Sequence, residues 1–174
     1  MSFLTRNRII GLAIAATIFV LDQAIKWLVD DRLQMRLGET IELVPFFDFT
    51  RTHNYGVSLG MFQADSMEMR WLLVAVTALI AFVVFVWMLR EKALGDIVGL
   101  SLILGGALGN IVDRWQLGYV LDYADFHIGD FRPFLIFNLA DAAITIGVIV
   151  ILARSFLIRD KDTEQRAEPA GENA

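Results

Sequence analysis

The chain has 174 residues, a formal net charge of −5, and a hydrophobic fraction of 56 % that far exceeds a soluble domain's. No cysteine is present, which excludes disulfides, thiolate catalysis, cysteine-based metal sites and lipidation on cysteine. With His53 and His127 as the two histidines and no H-E-x-x-H, neither a metal nor another cofactor is expected, and no nucleic-acid partner.

Four apolar runs, Ile9–Val29, Trp71–Leu89, Ala93–Val112 and Phe134–Leu152, each approach the ~20 residues that a helix needs to cross ~30 Å of hydrocarbon. All four tryptophans (Trp27, Trp71, Trp87, Trp115) fall at or just beyond the run ends, as an interfacial aromatic belt requires. Arg6 and Arg8 ahead of the first run resemble the start of a secretory signal peptide. No small-x-small cleavage site follows, so the run reads as a retained helix. The predicted fold is an all-α integral membrane protein: four transmembrane helices with a small extracytoplasmic β-containing loop subdomain at 30–70. Residues 1–157 form one unit, and the polar tail 158–174 is expected to be disordered.

Four spans place both termini on one side. The N-tail, the 90–96 loop and the C-tail hold eight basic residues in about 36 positions, against six in about 62 in the opposite connections. The positive-inside rule puts both termini in the cytoplasm.

In chain order, Asp22 and Lys26 stand four residues apart near the outer end of the first span, which suits an ion pair or the wall of a site. In the long connection that follows, Thr40–Val44 alternates as a strand does. Phe46, Phe47 and Phe49 follow Pro45 as an aromatic run, which points to a small sheet on the membrane surface. Residues 53–56 are expected to turn, and 64–70 to form a short helix or lead into the second span. Gly56-Val57-Ser58-Leu59-Gly60 matches G-x-S-x-G, but the large sheet of an α/β-hydrolase does not fit here, so the match is coincidental. The second span looks like scaffold. In the third, Gly95-x-x-x-Gly99 and Gly105-x-x-x-Gly109 let helix backbones approach closely, and Asn110, Asp113 and Arg114 stack on one face at its outer end.

Asp122 follows in the next connection. The fourth span carries Asn138 and, one turn later, Asp141, roughly 10–12 Å along a helix begun at Pro133. An ionisable residue inside such a run is a functional hypothesis by default. All these polar groups fall at the outer ends of the spans, whereas unrelated polar residues would scatter in depth. Two carboxyls held close cannot both ionise easily, so one keeps its proton. Such a pair activates water and protonates a leaving amine, as in an aspartic protease, without metal or cofactor. Lys26, Arg114, Asn54, Asn110 and Asn138 would hold its geometry or bind polar parts of a substrate. A proton-coupled transporter also buries such groups, but no internal repeat is present and the polar residues offer no path to the cytoplasm. A membrane scaffold leaves the cost of Asp141 unexplained.

Five blocks in order, Asp22 with Lys26, Asn54-Tyr55-Gly56, Gly109–Arg114, Val120–Tyr123 and Phe137–Asp141, resemble the bacterial lipoprotein signal peptidases (signal peptidase II). The resemblance implies that Asp122 and Asp141 are the catalytic pair, with Asp22, Lys26, Asn54, Gly56, Asn110, Asp113, Arg114 and Asn138 lining or supporting the site. It implies an aspartic endopeptidase of the bacterial inner membrane, acting at the outer leaflet as a monomer. It would remove the signal peptide of diacylated prolipoproteins just before the lipidated cysteine, among membrane lipids, and globomycin would inhibit it. Asp125 competes with Asp122, and motif alignment favours Asp122. Ser58, Leu59 and Tyr123 depart from the family's usual alanine, phenylalanine and phenylalanine. The aromatic stretch from Val44 to Tyr55 is expected to act as lid or cradle.

Overall fold

The computed structural model describes residues 5–57, 62–63 and 67–167, and of these the backbone alone at 57, 62, 63 and 158–167. Its four long helices are α1 (Arg6–Trp27), α2 (Met67–Arg90), α3 (Leu94–Gln116) and α4 (Leu139–Ala167). Stretches apolar and long enough to cross a membrane lie at Arg6–Arg32, Met67–Arg90, Leu94–Gln116 and Leu139–Leu157.

α3 is the central helix, packed against α1, α2 and α4. Its glycines make this possible. A Cβ on Gly105 would sit 2.6 Å from the Ala15 carbonyl of α1, and one on Gly106 would overlap the Ala140 carbonyl of α4. Lipid offers no hydrophobic drive for helix association, so such close backbone approach supplies the packing that does. At the far end from the polar cluster, Arg154 of α4 grips Asp96 of α3 through two hydrogen bonds of 2.7 and 3.1 Å. α2 buries Ala81 and Met88 and presents most of its apolar surface outward, as a scaffold span should.

A three-stranded antiparallel sheet caps one end of the bundle in the order β1-β2-β5, formed by β1 (Thr40–Val44), β2 (Phe47–Asn54) and β5 (Val120–Phe126). A second pair joins β3 (Gly56–Val57) to β4 (Phe62–Gln63). Val29, Met35, Leu121, Tyr123 and Ala124 are buried beneath the larger sheet, with Phe47 and Phe49 against them. Beyond Trp27 the first helix widens into a π-helical turn, Leu28–Arg32, closed by Leu33 N donating to Leu28 O at 2.8 Å. Arg51 of β2 ties that turn to the sheet through Asp30 and the Met35 carbonyl.

The strand expected at Thr40–Val44 forms at those bounds. Other boundaries differ. Residues 53 and 54, expected to turn, finish β2. Asp122 lies on a strand rather than in a loop, since β5 completes the sheet from the second outer connection. α3 runs on to Gln116, because Arg70 of α2 caps it by donating to the carbonyls of Arg114 (2.7 Å) and Trp115. The largest correction concerns the fourth span. It starts at Leu139, not Phe134, because the backbone of Phe137 pairs with β5: Phe137 N donates to Ala124 O at 3.1 Å, and Phe137 O accepts from Tyr123 N and Ala124 N. A backbone group already paired to a strand is not available to a helix. Asp141 therefore sits in the first turn of α4, not two turns deep, and Asn138 precedes the helix instead of sharing its face. The tail expected to be disordered beyond Leu157 is helical to Ala167. Ser58, Leu59 and Gly60 of the G-x-S-x-G match, and residues 64–66, lie outside the described residues.

Gly106→Ala tests the α3–α4 contact. The added methyl meets a backbone carbonyl, so the helices must part, at about 1–3 kcal/mol. Thermal unfolding in detergent should show a lowered midpoint.

Candidate active site

The N-terminus of α4 organises the site. A helix begins with amides that have no partner within it. Here Leu139 N donates to the Tyr123 hydroxyl of β5 (3.1 Å), Ala140 N to Asp22 Oδ1 of α1 (3.0 Å), and Asp141 N to Asn138 Oδ1 (2.9 Å). Asn138 is thus an N-cap. Three side chains from three places lock the turn that carries Asp141.

Behind this turn lies a buried ionic cluster. Lys26 Nζ is 2.8 Å from Asp22 and 2.7 Å from Asp113, and all three side chains are at most 5 % exposed. Gln23 Nε2 adds bonds to Asp113 (3.0 Å), Asp22 (3.3 Å) and the Gly109 carbonyl (3.4 Å). Asp113 Oδ2 accepts from Leu121 N at 3.1 Å, which fixes the start of β5. A side chain on Gly109 would collide with the Asp22 carboxylate. The Asp22–Lys26 pair is therefore a structural joint, uniting α1, α3, β5 and the start of α4.

In front of it, amides link the two remaining carboxylates. Asn138 Nδ2 donates to Asp122 Oδ1 at 2.6 Å and to Asn110 Oδ1 at 3.3 Å, while Asn110 Nδ2 donates to Asp141 Oδ1 at 2.8 Å. Asn54 Nδ2 holds the other oxygen of Asp122 at 3.1 Å, and Gly56 N donates to Asn54 Oδ1 at 3.2 Å to orient it. Lys26 Nζ reaches Asn110 Oδ1 at 3.4 Å, joining the two layers. Arg114 donates to the Asn110 carbonyl at 3.3 Å, lies within electrostatic reach of Asp141 and Asp122, and keeps Nε buried without a hydrogen-bond partner.

Asp122 is buried and Asp141 is partly open to the surroundings. Burial, and then the charge of Asp141, push the Asp122 carboxyl up to about 7, against the pull of the hydrogen bonds from Asn54 and Asn138. Burial likewise raises the Tyr123 hydroxyl, so it keeps its proton while accepting from Leu139 N.

The structure brings together every site residue expected from sequence. Asp125 stands apart. It accepts from Thr50 (3.1 Å) and from Arg132 (3.0 and 3.2 Å), and its position three along the strand turns it to the face opposite Asp122. Two contributors were missed. Gln23 had a signal, a polar residue beside Asp22 inside an apolar run. Tyr123 differed from the expected phenylalanine by the hydroxyl that caps α4.

Four spans with a buried, carboxylate-rich site at one end define a multi-pass membrane enzyme. Comparison with known proteins agrees. The family model of signal peptidase (SPase) II matches residues 14–157. A lipoprotein signal peptidase of Sphingopyxis alaskensis is 53 % identical over 160 residues, 92 % of either chain. One from Rhizorhabdus wittichii is 52 % identical over 154 residues, 88 % of this chain and 90 % of that one. A bacterial membrane enzyme structure solved by the in meso method at 2.3 Å superposes with a TM-score of 0.75 at 30 % identity, over 93 % of this chain and 94 % of that one. The chain belongs to the signal peptidase II family of membrane peptidases, which cleave the signal peptides of prolipoproteins.

Two substitutions test the supports. Lys26→Met strands two buried carboxylates and should cost about 3–5 kcal/mol, visible as a large fall in thermal stability or as failure to accumulate. Tyr123→Phe leaves one amide of α4 unpaired and should cost about 1–2 kcal/mol, measured the same way.

Proposed function

We propose that Asp122 and Asp141 are the catalytic pair of this peptidase, an aspartic endopeptidase that cuts prolipoproteins immediately before the diacylglyceryl-modified cysteine. The observation that carries this reading is the amide bridge. Two carboxyls delivered by β5 and α4 are joined through Asn138 and Asn110, and one of them is pushed to about 7 by its burial and its partner.

In the proposed reaction Asp141 takes a proton from a water molecule, whose oxygen attacks the scissile carbonyl carbon. Asp122 donates its proton to the carbonyl oxygen, giving a tetrahedral diol. As the diol collapses, Asp122 takes a proton back from one hydroxyl, the carbonyl re-forms, the C–N bond breaks, and the cysteine nitrogen leaves with the proton held by Asp141. Arg114, within electrostatic reach of both carboxyls, stabilises charge that develops on the substrate's oxygen. Asn54, Asn110 and Asn138 keep the two carboxyls aimed. Asp22, Lys26, Gln23 and Asp113 hold the elements that present them.

A lipidated signal peptide reaches such a site as an apolar helix with its acyl chains in the same leaflet. With the termini in the cytoplasm, as the basic-residue asymmetry requires, the site lies at the outer leaflet of the bacterial inner membrane. The enzyme acts there as a monomer, sensitive to globomycin-type inhibitors. The sheet serves as a cradle more than a lid, since Phe47 and Phe49 are packed into its underside.

A cleavage assay on a diacylated prolipoprotein in detergent–lipid micelles tests the reading. Asp122→Asn and Asp141→Asn should each lose essentially all turnover while keeping the wild-type melting profile; a folded variant of either with full activity would falsify it. The pH profile gives a second test. A proton on Asp122 is needed and is lost near pH 7, so kcat/KM should fall above neutrality. Asn54 stabilises the ionised form, so Asn54→Ala should move that alkaline limb to higher pH, whatever its effect on the plateau. A limb that stays put would remove Asn54 from the site. Phe47→Ala with Phe49→Ala should weaken cleavage by loosening β5.

A further inference from the structure

At the end away from Asn54 and Val120, the sheet finishes in two turns lying side by side. One joins β1 to β2 through Pro45 and Phe46. The other follows β5 and is closed by reciprocal backbone bonds between Ile128 and Phe131 of 2.8 and 3.2 Å, around Gly129 at φ +60°. The left-handed backbone at Gly129 is what lets the chain reverse so tightly. The turns are fastened to each other: His127 N donates to Phe46 O at 3.2 Å, the His127 ring lies 3.0 Å from the Asp48 carboxylate, and the Phe47 and Phe126 rings meet at 4.8 Å. Arg132 secures the return strand to Asp125.

Beside the exposed charged residues Asp130 and Arg132, the double turn shows a large apolar surface outward. Ile128 is 73 % exposed, Leu135 73 %, Phe131 66 %, Phe134 65 % and Phe46 57 %. A patch of this kind marks a contact surface.

Chain geometry identifies what covers it. The apolar stretch of α4, Leu139–Leu157, has 19 residues and rises about 28 Å, which just fills the ~30 Å hydrocarbon layer. Leu139 therefore stands at its boundary. Leu135 and Phe134 precede it by four and five residues, so at most about 14–18 Å of extended chain separates them from that boundary, which leaves both within reach of the headgroup layer. At this same end Trp27, Trp71 and Trp115 are about half exposed around the bundle, which is the signature of an interfacial belt. The exposed apolar surface of the turns thus continues the lipid-facing surface of the helices.

We propose that the paired turns at Val44–Phe47 and 126–131, with Phe134 and Leu135, are an interfacial anchor seated in the headgroup–acyl boundary of the phospholipid leaflet on the site's side. Its partner is the lipid surface itself. β5 connects the anchor to the site, with Phe126 four residues and about 13 Å along the strand from Asp122. Seating the turns in lipid fixes the tilt of β5, and with it the depth at which Asp122 meets a substrate that is itself held by its acyl chains.

The absence of native cysteine makes the test direct. Ile128→Cys, Phe131→Cys and Leu135→Cys, each at a mostly exposed position, take an environment-sensitive fluorophore, with Arg36→Cys at the opposite end of β1 as reference. In nanodiscs of phosphatidylethanolamine and phosphatidylglycerol, the three labels should be quenched by lipids carrying a nitroxide high on the acyl chain. Aqueous iodide should quench them severalfold less than the Arg36 label. Iodide quenching equal to the reference, without lipid quenching, would overturn the anchor. Shielding from both quenchers would also overturn it, by showing that a second copy or another protein covers the turns. Cleavage activity retained by each labelled variant confirms the fold, and three positions guard against one that does not tolerate the label.

Discussion

The start of α4 is the constraint on which the molecule depends. Three amides at a helix N-terminus buried within the protein must find acceptors there. Here the acceptors come from α1, from β5 and from the residue just before the helix. Satisfying one local need of the backbone thereby brings together elements distant in sequence. Asp141, the third residue of the helix, inherits a position fixed from three directions.

The two layers of polar residues behave differently because their charges differ. In the rear layer a lysine sits between two aspartates, the arrangement that lets charge be buried at tolerable cost. In the front layer neutral asparagine amides bridge Asp122 and Asp141. An amide orients a carboxylate without cancelling its charge, so the mutual repulsion of the pair survives and helps lift Asp122 toward neutrality. Had the lysine occupied the bridge, both carboxyls would be stabilised as anions and neither would hold a proton for the leaving amine. Lys26 bonds to the front layer through Asn110 Oδ1, and its charge pulls the Asp122 carboxyl down against the larger effects of burial and Asp141.

Much of this was legible in the sequence, and the reasons are specific. The spans follow from four apolar runs of the right length. The convergence of Asp22, Lys26, Asn110, Asp113 and Asp141 follows from hydropathy and direction of travel, since a polar residue near the outer end of each span must meet its counterparts there. The start of α4 was not legible. Phe134–Phe137 is as apolar as a helix interior, and hydropathy does not register that Phe137 pairs with a strand. β5 was hidden for a related reason: as Val-Leu-Asp-Tyr-Ala-Asp-Phe it is buried along most of its length, so it lacks the alternation that reveals a half-exposed strand. The role of Tyr123 depends on a hydroxyl meeting an amide across sixteen positions of sequence, and no local pattern encodes that.

The account stands or falls on whether Asp122, lifted by its burial and by the charge of Asp141, holds its proton near neutrality. Carbon-13 labelling of aspartate carboxyls, with NMR titration of the protein in lipid nanodiscs, measures this at the atom concerned. A carboxyl signal lost in Asp122→Asn should titrate near pH 7 and should move to lower pH in Asp141→Asn. An Asp122 signal that titrates in the ordinary aspartate range, indifferent to residue 141, would contradict the account.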